Sequence, residues 1–104
     1  MQFSVELSEL AEEQYDNILS YIYHKLQNPQ AMINIMDDFD DTVSKLERMA
    51  DTFGYCQNSC LRDMELHFIR FSKHRYLFVY RIIQNRVIIE GMYHELQDYE
   101  NAIV

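Results

Sequence analysis

Residues 76–94 read Tyr-Leu-Phe-Val-Tyr-Arg-Ile-Ile-Gln-Asn-Arg-Val-Ile-Ile-Glu-Gly-Met-Tyr-His. Two runs rich in aromatic and β-branched residues flank a two-residue polar break, the pattern of two antiparallel strands joined by a tight turn. The run Tyr76 to Ile83 is apolar on both sides, which marks a central strand. Gln84-Asn85 supplies the turn, with Asn85 tolerant of positive φ, and Arg86 to His94 forms the next strand. Upstream, Leu61 to Phe71 has the same composition and predicts a third strand, with a bulge where Phe68-Ile69 breaks the alternation.

The first half of the chain has a different period. Phe3, Val5 and Leu7 alternate with Gln2, Ser4 and Glu6, a short strand with one wet face. Ser8 offers an N-cap oxygen, and Glu9, Glu12 and Glu13 place negative charge where a helix dipole favours it. Ala11, Tyr15, Ile18, Ile22 and Leu26 then recur at helical spacing to about Gln27. Asn28-Pro29 caps and starts a second helix, since proline is tolerated at the first helical position. Met32, Met36, Phe39, Val43, Leu46 and Ala50 form its apolar stripe, and Asp37, Asp38, Asp40 and Asp41 are expected on a solvated face. Gly54 ends the helical region, and the last ten residues are expected to form a turn of helix or to dock.

The predicted order is β-α-α-β-β-β. The three later strands make a meander, the first strand joins its edge, and a helical hairpin covers one face. The fold class is therefore α+β, a two-layer arrangement on a mostly antiparallel four-stranded sheet. The 104 residues suit one domain spanning 1–104. No apolar run approaches the roughly 18 residues of a membrane span, and the start lacks a signal-peptide layout. Both point to a cytoplasmic protein.

The net charge of −8 is unevenly spread. Residues 1–51 carry three basic and eleven acidic side chains, whereas residues 52–94 carry six basic and three acidic ones. The overall sign argues against non-specific nucleic-acid binding, while the asymmetry permits one basic face on an acidic body. Cys56 and Cys60 lack a second cysteine pair and read as small fillers in a connection rather than as zinc ligands.

The stretches Leu-Gln-Asn-Pro-Gln-Ala at 26–31, Arg-Tyr-Leu-Phe-Val-Tyr-Arg-Ile at 75–82 and Tyr-His-Glu-Leu-Gln-Asp-Tyr at 93–99, in this order, resemble the RelE/ParE superfamily of toxin–antitoxin toxins, which includes plasmid stabilisation proteins. The resemblance runs from the Val5-Glu6-Leu7-Ser8 junction to Tyr99. It implies a toxin neutralised by a cognate antitoxin. RelE-like members are mRNA interferases, endoribonucleases that inhibit translation by cutting ribosome-bound mRNA, and ParE-like members poison DNA gyrase. A degenerate member would keep antitoxin binding and lose toxicity. The exposed sheet edge also leaves room for a homodimer.

The RNA chemistry implied uses no metal or cofactor. A base activates the ribose 2′-hydroxyl, cations stabilise the phosphorane and an acid protonates the leaving oxygen. On that reading Arg75 and Arg81, on one face of the central strand, hold the phosphate. His94 transfers protons, supported by Glu65 or His67 on the preceding strand. Arg70 and Lys73 assist in substrate binding, and Tyr99 stacks on a base. The sequence departs from RNA-cleaving members where Leu77 replaces a common arginine, and where Glu95, Leu96 and Gln97 replace a basic pair.

Overall fold

Ser8 decides how the chain enters its first helix. Its Oγ accepts from the Ala11 amide at 3.1 Å and donates to the Glu90 carbonyl at 2.9 Å, so one hydroxyl caps a helix and ties it to the sheet. The computed structural model describes residues 2–97 and 99. Within them lie β1 (Ser4–Leu7), α1 (Glu9–His24), α2 (Pro29–Met49), a 3₁₀ turn (Ala50–Thr52), α3 (Ser59–Asp63), β2 (His67–Arg70), β3 (Tyr76–Ile83) and β4 (Arg86–His94). Residues 98 and 100–104, and with them most of the expected C-terminal turn, lie outside the described residues. Among the described residues no helix is long and apolar enough to cross a membrane.

The sheet order is β1-β4-β3-β2. Strands β2, β3 and β4 are antiparallel neighbours, and β1 runs parallel to β4. The expected α+β architecture is the observed one. The bulge, however, lies in β4 rather than at Phe68-Ile69. Val79 faces Gly91 and Tyr80 faces Ile89, which leaves Glu90 as the extra residue. The amide of Met92, beyond the bulge, finds its acceptor in Gln14 Oε1 at 2.8 Å. Gln84, not Asn85, carries the positive φ of the β3–β4 turn, and α1 stops at His24, with Gln27 in the left-handed region.

Even-numbered residues of β3 meet the helices. Phe78 and Tyr80 are fully buried with Phe39, Leu46, Ala50, Ile69 and Phe71, and Tyr15, Tyr76 and Ile82 pack around them. Tyr15 stacks on Phe39 at 3.9 Å, and Phe39 and Phe71 both meet Phe78 edge to face at about 5 Å. Burial, with Asp40 and Asp16 nearby, pushes the Tyr15 hydroxyl up to about 12. Met36 drops out of the predicted stripe and is exposed, and Ile35 and Thr42 take the inward positions.

The opposite face of the sheet is not bare. Leu61 to Phe71 does not form one strand. Asn58 Oδ1 accepts from the amides of Cys60 and Leu61, which nucleates α3, and the chain then turns through Glu65 at φ 59°. This segment lays Cys56, Leu61 and Leu66 over Leu77, Val79 and Tyr93, a second apolar cluster. The Cys56 amide donates to Leu66 O at 2.8 Å and the Phe68 amide to Gly54 O at 3.2 Å, so the cover is stitched to the sheet edge.

Candidate functional site

Strand alternation sends Arg75, Leu77, Val79 and Arg81 to the face away from the hairpin. The two arginines share that face as expected, yet six residues of extended chain separate them by about 20 Å. Side chains leaving a strand in parallel do not converge on one phosphate from that separation. Leu77 and Val79 between them lie under the second apolar cluster. Arg81 is moreover matched: its Nε lies 2.9 Å from Glu90 Oε1, the carboxylate that the bulge displaces, although its N–H is not aligned for a hydrogen bond. Next to it Arg86 pairs with Glu6 at 2.6 Å.

His94 is on the other face. It pairs with Tyr76 across β3 and β4, and the two rings meet edge to face at 5.2 Å. Its Nδ1 accepts from the Leu96 amide at 3.1 Å, which leaves the ring proton on Nε2. The Tyr76 hydroxyl beside it is raised by burial. The expected meeting of guanidinium groups and imidazole therefore does not occur, because the register couples His94 to an even-numbered residue of β3.

Glu65 and His67 do not form the expected support on one strand face. Glu65 is exposed in the turn after α3. His67 is buried, stacked between Tyr55 at 4.1 Å and Tyr80 at 5.3 Å, with Nδ1 3.0 Å from Phe53 O. It holds the segment entering the second cluster against the core. Tyr80 does the same from below, donating to Ala50 O at 2.7 Å, with its hydroxyl pushed up by burial and by the nearby Asp51 and Cys56. Tyr99 lies against Tyr93, ring centroids 5.7 Å apart.

Arg70, Lys73 and Arg75 gather at the end of the sheet where the β2–β3 turn closes. Arg70 lies over the Phe68 ring and reaches Glu95 at 3.6 Å. The Glu95 amide in turn donates to Arg75 O. Lys73 and Arg75 are exposed.

The residue that organises this end is Asp38, which the sequence pattern alone assigns to a solvated face. Its side chain is 1% exposed. Its carboxylate accepts from the Ser72 amide at 3.2 Å, from the Lys73 amide at 2.9 Å and from His74 Nδ1 at 2.8 Å. Burial pushes its pKa up, but the bonds from His74, Lys73 and Ser72 outweigh that, and the net shift is down. Lys45, about two turns further along α2, bonds Ser72 Oγ and pairs with Asp41. A cleft of about 530 Å³ opens beside this clasp, lined by Asn34, Asp37, Asp38, Asp41, Lys73 and His74. A signal for Asp38 was present in the chain: Ile35, Asp38, Phe39, Thr42 and Leu46 are one helical stripe.

No known family profile matches this chain, and no curated protein does. Among solved structures it is similar to a chain of the chromosomal ParDE TA system from P. aeruginosa, with TM-score 0.72 and 15% identity, covering 89% of this chain and 96% of that one. At that identity the likeness is one of fold: the helical hairpin on an open, mostly antiparallel four-stranded sheet is an architecture shared with a component of a toxin–antitoxin system.

Proposed function

We propose that this chain is the toxin of a type II toxin–antitoxin pair and that it acts by binding a protein target, DNA gyrase on the ParE-like reading, without cutting RNA. The fold similarity to the ParDE structure supports the pairing with an antitoxin. The observation that carries the choice of mechanism is the sheet register, which puts Arg75 and Arg81 on one face and His94 on the other. Phosphodiester cleavage needs its base, acid and cations within hydrogen-bond reach of one phosphate. Here one cation is neutralised by Glu90, the two arginines stand about 20 Å apart, and His67 is buried in an aromatic stack.

Cleavage of ribosome-bound mRNA is the second reading, favoured by a single feature: Arg70, Lys73 and Arg75 collect at the sheet end that also carries His94. Expression of the chain without its partner separates the readings. Growth arrest with double-strand DNA breaks is the expected result. Arrest with breaks at fixed codon positions in mRNA overturns the proposed mechanism in favour of RNA cleavage. Unaffected growth marks a non-toxic antitoxin-binding module.

A further inference from the structure

Nine lysines and arginines face seventeen carboxylates in this chain, and several of the cations are matched locally. Lys45 has Asp41, Arg70 has Glu95, Arg81 has Glu90 and Arg86 has Glu6. Lys73 and Arg75 differ. Among the described residues neither side chain has an ion-pair or hydrogen-bond partner, and both are exposed, two positions apart on one turn. Lys25 and Arg48, also without an acidic partner among the described residues, stand singly at separate helices.

The turn that carries the pair is held still. Asp38 binds two of its amides and the His74 ring, Lys45 bonds Ser72 Oγ, and the Phe71 amide donates to Tyr76 O at 2.9 Å. Much of the ordering entropy that a binding loop would lose on association is therefore already lost on folding. Unmatched cations on a pre-organised turn are a recognition element in search of anions.

We propose that the β2–β3 turn docks a short acidic segment, two or three carboxylates long, on a protein partner. The Arg75 fork suits one carboxylate in bidentate fashion, and Lys73 supplies a compact second charge. The surroundings select against a longer polyanion. Asp37 and Asp41 line the cleft beside Lys73, and residues 1–51 carry a net charge of −8. Screening over about 8 Å at physiological salt mutes the charges of residues 1–51 that lie away from the turn, so a short segment meets fewer of them. A nucleic acid, with a phosphate at every nucleotide, runs into them.

The identity of the partner rests on the toxin–antitoxin reading, so the test uses the protein encoded beside this chain. Calorimetric titration compares wild type, Lys73→Gln/Arg75→Gln and Asp38→Asn at two salt concentrations. The double substitution is expected to weaken Kd roughly tenfold to a hundredfold and to flatten its salt dependence, with an unchanged Tm because both side chains are exposed. Asp38→Asn keeps both cations but loosens the turn, and is expected to weaken binding by less. A complex whose affinity and salt dependence ignore the double substitution overturns the docking site while leaving the pairing intact. Absence of any complex with wild type overturns the pairing and the docking site together. Tighter binding of a ten-nucleotide single-stranded RNA than of the partner, lost in the double variant, assigns the turn to nucleic acid and overturns the acidic-peptide inference.

Discussion

Replacing Asp38 by asparagine tests whether the clasp between α2 and the β2–β3 turn stabilises the fold. The carboxylate, its side chain 1% exposed, takes three charge-assisted hydrogen bonds, from two amides and one imidazole. A carboxamide in its place would keep the shape but has one acceptor oxygen. If that oxygen faces Lys73 and His74, the new NH₂ group points at the Ser72 N–H, so one bond is lost and two donors oppose each other. Bonds to charged groups contribute about 1.5–3 kcal/mol each and are not additive, so a net loss of about 2–3 kcal/mol is expected at pH 7. For a domain of this size that lowers Tm by roughly 10 °C or more.

The pH dependence gives a sharper test of the same residue. The pKa of Asp38 is lowered on folding, so its contribution is fully present above the unfolded value and fades as pH falls through the lower, folded one. Chemical denaturation of wild type and Asp38→Asn at pH 7, 5 and 3 should show a gap that is smaller at 3 than at 5. A gap below about 0.5 kcal/mol at pH 7, the level of ordinary surface substitutions, or one that does not narrow at pH 3, refutes the reasoning.

Three further outcomes follow from the packing. Gly91→Ala places a methyl 2.5–2.8 Å from the Tyr93 ring, and Tyr93 is hemmed in by Leu77 and Val79, so equilibrium unfolding should show a loss of about 1–3 kcal/mol. That loss should shrink in a double-mutant cycle with Tyr93→Leu. Leu61→Ala empties the second apolar cluster and should cost about 2–5 kcal/mol by the same assay; a loss under about 1 kcal/mol would mean that the segment over the far face is not packed in solution. Tyr80→Phe removes the buried donor to Ala50 O and should cost about 1–2 kcal/mol, with the deficit unchanged between pH 6 and 9 because the hydroxyl titrates far above that range.

The helices and the two long strands were legible because each element agrees with itself: the helical period is long, Ser8 and Asn28 stand at the caps, and the strands are aromatic and β-branched runs around a polar turn. The segment 55–66 was not, because Leu61 to Phe71 reads as a strand by its apolar and aromatic composition, and the Asn58 cap that starts α3 shows itself only in the structure. Asp38 was obscured by its neighbours. In a run of four aspartates, one belongs to the inward stripe, and tertiary hydrogen bonds rather than composition decide its burial. The candidate site fared worst for a topological reason. Face parity within β3 placed Arg75 and Arg81 correctly, but the partner register of β4 depends on the Glu90 bulge, and that bulge sends His94 to the side of Tyr76. Separation along the strand, readable at about 3.3 Å per residue, already argued against a shared phosphate.

The central claim is that this sheet does not assemble a phosphodiester-cleaving centre. Its most direct test is growth on expression of the chain without its partner, as wild type and as Arg75→Ala/His94→Ala, with Tm measured on both purified proteins. The predicted result is equal growth arrest by both. Arrest by wild type that vanishes in a double variant of unchanged Tm would contradict the claim and return those two residues to a catalytic role.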